Sequence, residues 1–173
     1  MRTLSLFLVT LLLAATVAAQ DPEPKVKASN PQFNALKTLA GEWTSKMPDG
    51  ASSTQTYRVV SGNSAIILDQ QVPGGGSMIT MFHPDGQKTV ATHYCSMGNQ
   101  PRMVATGTDT KSIAFKFQDI TNDDGKSGAM RDLTIVFLDN DHHNQVWTWQ
   151  DGSGKQQVET FKFTRSSAQP QGK

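Results

Sequence analysis

From Gly41 onward, apolar residues recur at every second position in short runs. Ile113, Phe115 and Phe117 alternate with Ala114, Lys116 and Gln118. Leu133, Ile135 and Phe137 alternate with Asp132, Thr134 and Val136, and Phe161 and Phe163 with Thr160, Lys162 and Thr164. A period of two places one face of each strand in a core and the other in water. Nine turn signals separate the runs: Pro48–Gly50, Ser61–Asn63, Pro73–Gly76, Pro84–Gly86, Gly98–Pro101, Thr108–Asp109, Asn122–Gly125, Asp139–Asp141 and Asp151–Gly154. Gly tolerates positive φ, Pro pre-sets φ, and Asp or Asn bonds its own backbone. Nine breaks predict about ten strands. The links are of hairpin size, so strands adjacent in sequence are expected to pair. Closing such a meander removes both edges. The fold class predicted is therefore all-β, an up-and-down antiparallel β-barrel of about ten strands with a short N-terminal helix.

The helix is predicted just ahead of the first strand. Asn30 suits the N-cap and Pro31 the first helical position; Phe33, Leu36 and Ala40 fall at helical spacing, and Gly41 stops the run. An outer-membrane barrel would need consistently apolar outward faces with aromatic girdles. Ser52 to Arg58 and the outward Lys116 and Lys162 do not supply them.

The first residues have the layout of a secretory signal. Met1 and Arg2 open it, Leu4 to Val17 is almost wholly apolar, and Val17-Ala18-Ala19 offers small residues for cleavage after Ala19. The apolar stretch is shorter than the ~20 residues a membrane span needs. The expected organisation is a signal peptide at 1–19, a polar lead-in at 20–30, a barrel domain at 31–165 and a flexible tail at 166–173. The mature chain is expected in the periplasm or secreted, with no membrane insertion once the signal is removed.

Composition narrows the partners. Removing 19 of 173 residues leaves 154, enough for one domain with a core of its own. With Arg2 gone, 15 basic residues face 15 acidic ones. That balance argues against nucleic acid and against anionic membrane surfaces, which select basic patches. The single cysteine, Cys95, cannot form an internal disulfide and lies far from any lipid-attachment position.

Gly41-Glu42-Trp43, after a short helix and opening the first strand, resembles the opening motif of lipocalins and related calycin barrels. That resemblance implies a structural pair, Trp43 packed against a basic residue near the end of the last strand, here Arg165. The later lipocalin motifs are not recognisable, and the disulfides common in that family are impossible. Fatty-acid-binding proteins insert a helical pair after strand one, where Met47 to Gly50 leaves room only for a tight turn. The chain most resembles secreted bacterial lipocalin-like barrels of unknown function. Thr92-His93-Tyr94-Cys95 with Gly98-Asn99-Gln100-Pro101-Arg102-Met103 is similar to a signature of such proteins. Nitrobindin-like barrels, ten-stranded calycin relatives, hold haem through a histidine near the C-terminus. No histidine follows His143, and no cofactor is expected.

The segment from His93 to Arg102 carries the densest set of reactive side chains. Parity puts His93 and Cys95 on one face and Tyr94 on the other. A thiol beside an imidazole has the parts of a nucleophilic dyad. Side chains at i and i+2 of a strand point in parallel, however, which favours a buried Cys95 at a strand centre and a hydrogen-bonded core His93. Arg102 with Asn99 and Gln100 has the chemistry to receive an anionic head group, or simply to hold a hairpin. Trp147 and Trp149 share a face and serve either a pocket wall or the core. His83, His93, His142, His143 and Cys95 lack ligand spacing, and Asp119 to Gly125 and Asp139 to Asp141 lack a calcium-loop pattern, so no metal is expected.

Together these features predict a non-enzymatic barrel binding a small apolar or amphipathic molecule. The candidate ligand-binding residues are His93, Tyr94, Cys95, Asn99, Gln100, Arg102, Trp147 and Trp149. An enzyme using His93 or Cys95 as acid/base or nucleophile, and a filled barrel acting as an interaction scaffold, are the alternatives. The binding reading requires an interior cavity of at least ~300 Å³, open near the Gly98 to Arg102 hairpin or the Gly74 to Gly76 turn. The sequence does not specify an oligomeric state.

Overall fold

The computed structural model describes residues 30–47, 50–74 and 76–166. The expected signal segment, its cleavage at Ala19 and the tail from 167 lie outside them. Helix α1 (Pro31–Lys37) precedes ten strands: β1 (Gly41–Lys46), β2 (Ser52–Val60), β3 (Ala65–Val72), β4 (Gly76–Asp85), β5 (Lys88–Tyr94), β6 (Gln100–Thr106), β7 (Ser112–Thr121), β8 (Ala129–Phe137), β9 (His142–Gln150) and β10 (Gln156–Arg165). Each pairs antiparallel with its sequence neighbour, and β1 pairs with β10, so the sheet closes on itself. The turn signals fall at or next to the links between successive strands, with Gly76, Pro84, Asp85, Gln100 and Pro101 already inside strands. The up-and-down order follows from those short links, because none is long enough for a crossover.

One end of the barrel is plugged by α1. The Asn30 side chain accepts from the Phe33 N–H at 3.0 Å and donates to the Lys88 carbonyl at 2.9 Å. Gln32 donates to the Asp109 carbonyl at 3.1 Å, while Phe33, Leu36 and Leu39 are buried beneath. The helix thus caps its own start and ties the first residue of β5 and the β6–β7 link to itself with one residue each.

Its regular turns end at Lys37, before Gly41: the N–H groups of Thr38, Leu39 and Ala40 bond the carbonyls of Ala35, Leu36 and Lys37, three residues back, and Arg165 binds the end so formed. The guanidinium donates to the carbonyls of Thr38 (3.0 Å), Ala40 (2.8 Å) and Asn140 (3.0 Å). It also lies 4.1 Å over the Trp43 ring, whose indole N–H donates to the Leu39 carbonyl at 2.7 Å. The carbonyls of Thr38 and Ala40 have no intrahelical donor at a helix end, and the cation supplies one. Gly41 has φ +127, and a Cβ there would sit 2.9 Å from an Arg165 nitrogen. The glycine of the opening motif is therefore what lets the guanidinium reach Ala40.

Inside, the alternation holds along most strands. Ile113, Phe115, Leu133, Ile135 and Phe163 are buried with Ile66, Leu68, Phe82 and Met103. Phe117, Phe137 and Phe161 are only partly covered. Two register shifts, with Gln118 as the extra residue of β7 opposite Arg102 and Met103 and Arg131 as the extra residue of β8 between Met130 and Asp132, reset the parity of those two strands, as bulges do.

Candidate functional site

The barrel floor is polar as well as apolar, and the polar groups form one chain. Gln145, fully buried on β9, donates its amide hydrogens to Gln55 Oε1 (3.0 Å) and the Tyr57 hydroxyl (2.7 Å). Its carbonyl oxygen accepts from the Trp147 indole at 2.8 Å. Gln55 Oε1 is thus an acceptor, so its amide nitrogen donates to His143 Nε2 at 3.0 Å. Each bond fixes the orientation of the next, and His143 Nδ1 at the end of the chain has no partner among the described residues. The His143 ring stacks on Phe163 at 5.1 Å and meets Trp43 edge-on at 4.3 Å. Burial, aided by the nearby Arg165 charge, pushes this imidazole down to about 3, and burial alone pushes the Tyr57 phenol up. The network fixes the Trp147 side chain from below.

A second histidine faces the same tryptophan. His93 on β5 is 1% exposed and its ring lies 5.1 Å from that of Trp147. Its Nδ1 meets the Thr80 hydroxyl at 2.9 Å, and Thr80 donates toward Gln70 Oε1. Nε2 has no partner among the described residues. Burial pushes this imidazole down to about 4, so it is neutral near pH 7.

Above these side chains, at the end opposite α1, the barrel opens. Met130, Trp147, Trp149, Gln157, Glu159 and Phe161 line a cavity of about 290 Å³. Register explains the set, because Trp149 lies directly across from Gln157, and Trp147 from Glu159. Met130 joins them through the β8 bulge, which places it opposite Trp149. Gly128 matters here: a Cβ on it would come within 2.7 Å of the Trp149 ring. Larger concavities lie elsewhere, about 450 Å³ against the α1 end around Arg165 and about 390 Å³ beside the β3–β4 turn. The first is occupied at its edge by a guanidinium already bonded to three carbonyls, and the second is lined mainly by exposed β2 to β4 residues. The mouth cavity has three aromatic side chains in its wall, Trp147, Trp149 and Phe161, where the cavity around Arg165 has Phe137 alone and the β3–β4 one has none.

The sequence-selected residues separate into three places. His93, Trp147 and Trp149 are inside. Tyr94 (47% exposed) and Arg102 are on the outer face, where Arg102 is bonded to the Asp119 carboxylate. Asn99 and Gln100 brace hairpins: Asn99 donates to the Gly128 carbonyl at 2.8 Å, and Gln100 accepts from Thr121 at 2.8 Å. Cys95 is neither at a strand centre nor fully buried, contrary to expectation. β5 ends at Tyr94, and Cys95 opens the turn, accepting from the Gly98 N–H at 2.9 Å and donating to the Asn99 carbonyl at 3.1 Å. The hydrogen-bond partner of the His93 ring is Thr80 rather than this thiol. Sequence reasoning missed Met130, Gln157 and Glu159. Extending the Phe161 and Phe163 parity back along β10 reaches Gln157 and Glu159, but a bulge such as that at Met130 leaves no period-two signal.

Neither a protein-family model nor a curated protein matches the chain. Among solved structures, it is similar to the one titled Crystal Structure of Rv2717c from M. tuberculosis. Identity is 14%, the match covers 79% of this chain and 98% of that one, and the TM-score is 0.58. The likeness shows the fold alone. It is consistent with the closed ten-strand barrel seen here. The inner face of β10 carries Gln157, Glu159, Phe161 and Phe163.

Proposed function

We propose that this chain is an exported, lipocalin-like binding barrel that holds a small apolar or amphipathic molecule in its open mouth and performs no reaction on it. The observation that carries the reading is the mouth cavity itself, with two indoles, a phenyl ring and a thioether over a floor already locked by hydrogen bonds. Trp147 is fixed by Gln145 and flanked by His93, so the wall exists before any ligand arrives. Preorganisation of that kind lowers the ordering cost of binding. The opposite end is closed by α1, so access is from one side. The enzyme alternative loses support because His93 is committed to Thr80 and Cys95 lies in a turn. Export rests on the signal-like first residues, and N-terminal sequencing of the mature protein should begin at Gln20.

The test is a fluorescence titration with N-phenyl-1-naphthylamine, a neutral apolar dye. One saturable site is expected, and Trp149→Ala should weaken it roughly 5–30-fold, the loss expected when an aromatic wall is removed. Linear, unsaturable uptake, or equal affinity in the variant, would count against the mouth as a binding site.

A further inference from the structure

We propose that the mouth pocket selects a small organic cation, a protonated or quaternary amine carried on an apolar or aromatic body. The proposal deepens the binding reading above and rests on it. Of the six lining residues, Glu159 is the sole charged one, and it carries a carboxylate. Three others present aromatic rings and one a polarisable thioether. Ring faces carry negative electrostatic potential and attract ammonium groups within about 6 Å of their centroids. Trp149 and Trp147 on β9 stand across from Gln157 and Glu159 on β10. The carboxylate and an indole therefore occupy directly opposed positions of one ladder.

The surroundings do not offset that charge. His93 beside Trp147 is buried and uncharged near pH 7, so it supplies no positive group to the pocket. Arg131, the cation nearest in sequence to Met130, has its guanidinium 4.3 Å over the Phe117 ring and is not among the pocket's lining. Lys116 and Arg102 are on the outer face, bonded to Asp132 and Asp119. An anionic head group entering the mouth would meet Glu159 with no cation in the pocket wall to balance it. A cation would meet the carboxylate and the ring faces together.

The experiment compares three probes by following the indole N–H signals of the tryptophans in two-dimensional NMR. Benzyltrimethylammonium is the cation, neopentylbenzene has the same shape without charge, and phenylacetate is the anion. The cation is expected to bind about 3–20-fold more tightly than its neutral isostere, the range a cation–π contact supplies. That ratio should shrink toward unity in Glu159→Gln and should fall as salt rises from 20 to 500 mM on the order of the screening expected for a rim charge. Equal affinity for cation and isostere, tighter binding of phenylacetate, or a ratio unchanged by Glu159→Gln would overturn cation selectivity while leaving the binding reading intact. Failure of all three probes to perturb Trp147 or Trp149 would bring down both.

Discussion

Two buried imidazoles make the stability of this barrel depend on pH, and the dependence can be worked from their surroundings. His93 and His143 are 1% and 0% exposed, and burial lowers them to about 4 and about 3. In the unfolded chain each titrates near 6.5. Below that value the unfolded chain binds two protons that the native barrel refuses. The pKa values are depressed in the fold, so stability is greatest above pH 6.5 and is lost as pH falls from there toward 4. Each group contributes up to about 1.4 kcal/mol per pH unit across that window, so the pair gives a limiting slope of ~2.7 kcal/mol per unit. Asp124, Asp139 and Asp151 are also lowered, by their turn hydrogen bonds, and act only once pH reaches the carboxylate range. Between pH 6 and 4.5 the slope therefore belongs to the histidines. Urea unfolding followed by tryptophan fluorescence at pH 7.5, 6.5, 5.5 and 4.5 measures it. His93→Gln, whose amide has both a donor and an acceptor to offer Thr80, should halve the slope. A flat profile between pH 6.5 and 4.5, or a full slope in the variant, would refute the assignment of buried neutral imidazoles.

Three further outcomes are expected. Arg165→Met removes a cation from three carbonyls and an indole face and should destabilise the barrel by about 2–4 kcal/mol in the same urea assay; a loss under about 0.5 kcal/mol would show that the closure does not depend on it. Gln145→Leu leaves Gln55 Oε1, the Tyr57 hydroxyl and the Trp147 N–H without partners and should cost about 2–5 kcal/mol, with the Trp147 indole signal shifted in NMR. An unmoved Trp147 signal would separate that ring from the network. Cys95, partly exposed in a turn, should be labelled by a small neutral thiol reagent in native buffer at a rate independent of added sub-denaturing urea. Labelling that waits for global unfolding would place it in the core.

The barrel was legible in the sequence because both of its determinants are local. Alternation at Ile113 to Phe117 and Phe161 to Phe163 sets the inner face, and the Gly, Pro, Asp and Asn clusters end each strand. The helix start was legible for the same reason, through Asn30 and Pro31. Its stop falls at Lys37 because the next three N–H groups bond three residues back, and the free carbonyls of Thr38 and Ala40 are met by Arg165, more than a hundred residues away. The site was less legible. Two register shifts changed which side chains reach the interior, bringing Met130 to the mouth. Arg102 has Asp119 as its outer-face partner, a pairing across strands that spacing alone does not reveal. Cys95 was misplaced by one position, because the strand ends at Tyr94 once the Cys95–Gly98 turn closes. The polar floor of Gln55, Tyr57, His143 and Gln145 left no sequence signal of its own. Each member looks like an ordinary outward residue until the register places it inside.

The central claim is that the mouth holds a small molecule, and native mass spectrometry of the chain isolated from its own host tests it most directly. The account predicts one additional mass per barrel, released on gentle collisional activation and absent from Trp149→Ala prepared in the same way. A bare protein mass from every preparation, or an adduct retained undiminished by Trp149→Ala, would contradict it.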